Sequence, residues 1–310
     1  FINIPSGLSS ANGNLIIGEG AGNSIVSAGK NIAIGFGAFK QSSDNARGSN
    51  VAIGYEAFGE ATSQVSNSVA IGYRAGYTST NGSNAVLIGY RAGEDDQSFG
   101  HTGIGYQGLF SSNGSQATGV GYEAGMHANG NEIIAIGKTA GRNLDGNYSI
   151  AIGSNAAQSN DAVGHISIGY QSGYSNTSGS DNTNIGYQAG YSVTTGQFNT
   201  FVGNLTGKNA TGNSNTFMGY QSGAGSSGSL SGIGNVGIGV NVMKQITGGN
   251  YNVGVGTSAL ENIAGGGLTS GNIGIGHYAG SGITTGRGYT VVGQYAGNSA
   301  TYTGSNITLI

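Results

Sequence analysis

Apolar residues in this chain follow a two-residue alternation that lasts for one short burst, stops, and returns after a nearly fixed interval. Each burst reads polar, β-branched, small, Ile or Val, Gly, as in Ser68-Val69-Ala70-Ile71-Gly72. It recurs seventeen times, anchored on Gly18, Gly35, Gly54, Gly72, Gly89, Gly105, Gly121, Gly137, Gly153, Gly169, Gly186, Gly203, Gly219, Gly239, Gly256, Gly276 and Gly293. Successive anchors lie 16 to 20 residues apart. A period of this length predicts a stacked repeat, in which each unit buries its apolar surface only against its neighbours. It argues against an enzyme, because a repeat spreads its chemistry instead of gathering it at one site.

Aligned on the glycine, the columns predict one coil. The residue directly before Gly is Ile, Val or Met in all seventeen copies, and the residue two before that is β-branched in all but Leu15. This alternation is that of a short strand with one face buried, and we place the β-branched column, including Thr183, Thr200 and Thr216, on the inward face. Asn opens the strand in nine copies: Asn14, Asn31, Asn50, Asn182, Asn199, Asn215, Asn235, Asn252 and Asn272. Amides stacked at about 4.8 Å can bond to one another as a ladder. Three residues past the Gly stands a small residue, Ala in twelve copies. Beside the Gly it marks a tight corner or a close approach of two backbones. Polar turns such as residues 77–83 complete the unit, which reads as strand, Gly corner, weaker second strand, turn.

The chain is therefore predicted to be all-β: a parallel β-roll or β-solenoid of about 17 coils, one continuous repeat domain over residues 1–310. At about 4.8 Å per coil the stack would be roughly 80 Å long. Phe1-Ile2-Asn3-Ile4 reads as a further strand with Pro5 in the Gly slot, and Asn306 to Ile310 stops where another Gly would follow. The chain thus reads as a stretch of a longer fibre protein. Each layer encloses roughly one or two apolar side chains, little against the entropy of ordering so much glycine. Packing chains side by side along the small-residue face would remedy this, and closure with identical contacts predicts a parallel homotrimer.

Composition narrows the function. The chain has 64 Gly, one Pro, no Cys and no Trp; 7% of residues are charged, and the net charge is −3. No basic footprint for nucleic acid is present. There is no disulfide framework. No apolar run approaches the roughly 20 residues of a membrane-spanning helix, so membrane insertion is not expected.

Two sets of repeats carry a resemblance. Ser68-Val69-Ala70-Ile71-Gly72 and Ser149-Ile150-Ala151-Ile152-Gly153-Ser154-Asn155-Ala156 resemble the head repeats of trimeric autotransporter adhesins of the YadA type. Asn182-Thr183-Asn184-Ile185-Gly186-Tyr187-Gln188-Ala189-Gly190 resembles repeats of bacteriophage tail-fibre proteins, many of which end in an endosialidase-type chaperone domain. The resemblance covers nearly the whole chain, although the coils here are longer and less regular than the adhesin's. It implies a left-handed parallel β-roll assembled as a trimer, located outside the cell or on a virion.

Candidate chemistry is sparse. Tyr follows the anchor Gly in eight copies, five of them consecutive: Tyr55, Tyr73, Tyr90, Tyr106 and Tyr122. Rings stacked one coil apart form a strip that could hold a glycan or receptor, or pack a corner or an inter-chain seam. One position further, Glu56, Arg74, Arg91, Gln107 and Glu123 read as a solvated column, with Arg74 beside Arg91 mildly repulsive. His101, His127, His165 and His277 share no metal-ligand spacing. His101 and His165 read as substitutes in the Asn column. Glu94-Asp95-Asp96 reads as a solvated turn, and Gly237-Ile238-Gly239 as repeat columns, not a phosphate loop. No metal or cofactor is expected.

These features predict a rigid, non-catalytic fibre, the shaft or receptor-facing segment of a bacteriophage tail fibre. The alternative is a bacterial surface adhesin or extracellular matrix fibril. Two other solenoid functions fit less well. A hexapeptide-type acyltransferase needs an Ile-like residue every sixth position, and five successive coils of 16 break that register. An ice-binding solenoid wants an uninterrupted outward Thr array.

Overall fold

The computed structural model describes residues 13–23, 25, 29–40, 48–61, 65–225, 228–263, 269–298, 302 and 304–310. The strand read at Phe1 to Ile4 lies outside these residues. The chain is a parallel β-solenoid, with no helix among the described residues. It divides into two compact units, residues 1–154 and 155–310.

In the first unit, nine three-residue strands stack in sequence order, beginning with Leu15–Ile17, Ile32–Ile34 and Val51–Ile53 and ending at Ile134–Ile136 and Ile150–Ile152. The second unit stacks eight more, from Ile166–Ile168 to Thr290–Val292, and Thr308–Leu309 adds a short strand beyond them. Pairing is column on column: Val51 lies against Val69, Ala52 against Ala70 and Ile53 against Ile71. Every anchor strand occupies the three positions before its glycine, as the alternation predicts.

The anchor glycine is fixed by the stack itself. Gly121 has φ +136, and a Cβ there would stand 2.6 Å from the carbonyl oxygen of Gly137 in the next coil. Only a residue without Cβ allows the backbones to approach that closely.

The facing of the strand is the reverse of the expected one. The middle residue is buried, whereas the β-branched residues on either side of it point outward and are partly exposed. Thr183, Thr200 and Thr216 therefore look out, although their column is still interrupted by Val236 and Val253. The small-residue columns are inside: Ala52, Ala70, Ala57 and Ala75 are all fully buried. They are the core of the coil, so they cannot be the face along which chains pack.

That core follows a size rule between two positions, the middle of the strand and the fourth residue past the glycine. Ala52 is matched by Phe58, Gly103 by Leu109, Gly237 by Met243 and Gly254 by Leu260. Conversely Leu87 is matched by Gly93, Phe201 by Gly207 and Phe217 by Gly223. A Cβ on Gly93 would come within 2.6 Å of Leu87, and one on Gly223 within 2.3 Å of Phe217. Among the described coils none is large at both positions. Between these two facing positions a coil has room for one large side chain, and interiors pack too densely to admit a second there.

In most described coils the predicted second strand is replaced by a ribbon of turns; short second strands form at Asn143–Leu144 and Ser159–Asn160. The second and fourth residues past the glycine are left-handed, as in Glu56 (φ 50) and Phe58 (φ 48), and so is the residue before the Asn column, as in Asn67 (φ 56). Left-handed backbone costs roughly 1 kcal/mol for an ordinary residue. Hydrogen bonds between coils offset it: Glu56 N–H donates to the Phe36 carbonyl at 2.8 Å and Phe58 N–H to the Ala75 carbonyl at 2.9 Å. Each coil is thereby bonded to the one before and the one after.

The asparagine ladder forms as expected. The Asn31 side-chain oxygen accepts from the backbone N–H of Asn50 at 3.0 Å and from its amide at 3.1 Å. In the second unit the same contacts link Asn215, Asn235, Asn252 and Asn272. Each amide also ties a turn, as Asn235 does with the Gly249 carbonyl. These side chains are buried, so the amide groups satisfy one another and the backbone in place of water.

Candidate functional site

The tyrosine column is continuous in the first unit. Because the coils are in register, the residue after each glycine corner leaves the stack in the same direction. Ring centroids are 5.1 Å apart for Tyr55–Tyr73, 5.2 Å for Tyr73–Tyr90, 5.1 Å for Tyr90–Tyr106 and 4.9 Å for Tyr106–Tyr122, with interplanar angles of 6° to 9°. Phe36, which a pattern of Tyr alone leaves out, extends the ladder at 5.3 Å from Tyr55. All five tyrosines are 42–48% exposed. Each stacked pair is worth about 0.5–1.5 kcal/mol beyond its burial.

This geometry changes what the ladder can bind. Within the column each ring face lies against the next ring, so a sugar cannot stack on it. What the ladder presents outward is a row of ring edges. Tyr122 also hydrogen-bonds Glu123, which with the negative charge of that carboxylate raises the phenol's pKa. In the second unit the column is shorter: Tyr170 stacks on Tyr187 at 5.3 Å, and Tyr220 is exposed between Asn204 and Val240.

The column beside the ladder is half-buried rather than solvated, and Gln107 is almost wholly covered. Arg74 and Arg91 do not simply repel. Glu94 lies between them, 3.1 Å from the Arg74 guanidinium and in contact with Arg91 Nε, while Glu56 stands 3.5 Å from Arg74. Arg74 also stacks over the Tyr77 ring at 3.8 Å. Burial, with hydrogen bonding to Glu60 and nearby negative charge, pushes the Tyr77 phenol up to about 12. Farther along, Arg142 pairs with Glu123 at 3.4 Å.

The acidic run is likewise not a solvated turn. Glu94 and Asp96 are buried, and Asp96 lies 2.8 Å from His101 Nδ1, itself fully buried in the Asn column. Burial opposes the imidazolium, but the hydrogen bond and charge of Asp96, with the Gly114 carbonyl, outweigh it and raise the His101 pKa. His165 occupies the same column, 3.1 Å from the Asn176 amide. Burial dominates there and lowers its pKa to about 4. His127 packs edge-on to Phe110, and His277 lies against Tyr278 and Tyr295. The four histidines are thus dispersed, and no group of His, Asp and Glu among the described residues is arranged to hold a metal. Among the described residues no helix is long and apolar enough to cross a membrane.

A scan of the sequence against protein-family models finds no match, and a search of curated proteins finds none similar to it.

Proposed function

We propose that this chain is a non-catalytic fibre segment, the shaft or receptor-facing part of a bacteriophage tail fibre, acting on a virion surface or outside the cell. The observation that carries the reading is repetition. The same exposed ring recurs on five successive coils at about one strand spacing, a surface suited to many weak contacts along a line. Tyr55, Tyr73, Tyr90, Tyr106 and Tyr122 are the residues proposed to meet a cell-surface glycan or host receptor. The bacterial adhesin reading rests on the Ser68-Val69-Ala70-Ile71-Gly72 form of the repeat, and it uses the same surface.

The outward β-branched face supports assembly as a homotrimer. Nine coils in residues 1–154 each present two partly exposed side chains on one side, all of them apolar except Thr102 and Thr118. Together they offer on the order of 1,000 Å², against about 800 Å² per partner in a stable interface. A contiguous apolar surface of that size marks a contact. Solution mass should give three chains, and Ile71→Lys should yield folded single chains. Ala70→Leu, directed into the coil, should instead unfold the stack. A folded wild-type monomer would reject the assembly, and the absence of binding to any cell envelope or its glycans would reject the receptor-facing role.

A further inference from the structure

We infer that the glycan met by the tyrosine ladder is an uncharged, extended β-1,4-linked polysaccharide strand lying parallel to the axis of the stack, with about one sugar to each ring from Tyr55 to Tyr122. This rests on the reading of the ladder as a glycan contact and specifies its ligand.

Three observations lead to it. The first is the period. The rings repeat at 4.9 to 5.2 Å, and a fully extended β-1,4-linked pyranose chain advances by about one strand spacing per sugar. Ring and sugar therefore stay in step over five coils. An α-1,4-linked chain curls away from any straight row. The second is the blocked ring faces. With only edges and phenol hydroxyls available, a single sugar gains little, and useful affinity requires many contacts made at once by one polymer. The third is charge. The column flanking the ladder holds Glu56, Arg74, Arg91, Gln107 and Glu123, two charges of each sign. Both guanidinium groups are already paired with Glu94. An anionic glycan would find no surplus positive charge there, while sugar hydroxyls can bond to these groups as donors and acceptors. The ladder lies across the glycine corner from the β-branched face, so ligand and neighbouring chain do not compete for the same columns.

The test is calorimetric titration of the 310-residue protein with cellohexaose, cellobiose and maltohexaose. Cellohexaose should bind at least tenfold more tightly than cellobiose, and maltohexaose should not bind. Tyr90→Ala, at the centre of the ladder, should weaken cellohexaose at least tenfold, and Tyr90→Phe, which keeps the ring, should lose less. Tyr251→Ala, exposed elsewhere, should change nothing, and circular dichroism should show all three variants folded. Equal binding of the disaccharide and the hexasaccharide, or of the α-linked chain, would overturn the axial register while leaving the ladder a glycan site. So would Tyr90-dependent binding of some other glycan with none of cellohexaose. Loss of Tyr90 without effect on any glycan would overturn both.

Discussion

Exchanging the large and small partners of one coil tests the size rule directly. Leu87 is fully buried, and a Cβ on Gly93 would come within 2.6 Å of it. Leu87→Gly alone removes a buried leucyl group from a layer that has no other large residue. The loss should be about 3–5 kcal/mol, from the cavity and the added backbone freedom. Gly93→Leu alone forces a second large side chain into the same layer and places it at φ +56. Overpacking of that kind costs typically 1–3 kcal/mol, with roughly 1 kcal/mol more for the left-handed backbone. The double variant should do better than either. It recreates the arrangement of Gly103 with Leu109, whose φ is 52. It would also place two such coils in succession, as Gly237 with Met243 and Gly254 with Leu260 already do.

The coupling energy between the two substitutions should therefore be at least about 2 kcal/mol in the favourable direction. Thermal unfolding of the four proteins measures it. In a unit of about 150 residues, 1 kcal/mol corresponds to roughly 2–4 °C, so Leu87→Gly should melt about 6–20 °C low, Gly93→Leu about 4–16 °C low, and the double much nearer the parent. Simple additivity, with the double variant the least stable, would refute the rule.

Three further substitutions follow from the same geometry. Gly121→Val puts a branched side chain where even a Cβ would stand 2.6 Å from the Gly137 carbonyl; it should cost a few kcal/mol per chain, while Gln97→Ala on an exposed turn leaves the melting temperature unchanged. Asn184 is buried in the core column with neither amide atom hydrogen-bonded, beside a similarly unpartnered Ser167 hydroxyl; Asn184→Leu should stabilise by about 1–3 kcal/mol in denaturant titration, and a loss would show that the amide is satisfied. His165, held near 4 by burial, takes up its proton in the unfolded chain near 6.5 but in the folded chain only near 4, so stability should fall as pH drops through that window and level off below it. The full change is on the order of 3 kcal/mol, and His165→Asn, the residue of Asn182 one coil on, should flatten the profile between pH 7.5 and 4.5; an unchanged slope would assign it elsewhere.

The period and the anchors were legible because a glycine between two coils has no substitute: the carbonyl of the next anchor occupies the place of its Cβ. Strand positions, the Asn ladder and the Tyr column followed from that register. The facing did not. An alternation marks two faces without saying which is inside, and in larger sheets it is the β-branched face that fills the core. In a coil this narrow there is no volume for two rows of Ile and Val. The row of Ala, Gly, Leu and Phe must turn inward, and its pairing of large with small was the available signal. Nor did the sequence reveal that Glu94 and Asp96 would be buried. Asp96 is close in sequence to His101, and Arg91 to Glu94, but Arg74 reaches Glu94 only because one coil lies on the next. The left-handed turns were hidden for a related reason: Glu56 and Phe58 have no intrinsic preference for that backbone, and only hydrogen bonds to neighbouring coils hold them there. What a single repeat cannot display, the stack supplies. Side chains that look outward in one coil become a surface only when the stacked coils of a unit align them. The corrected facing therefore puts the apolar columns where other chains can reach them.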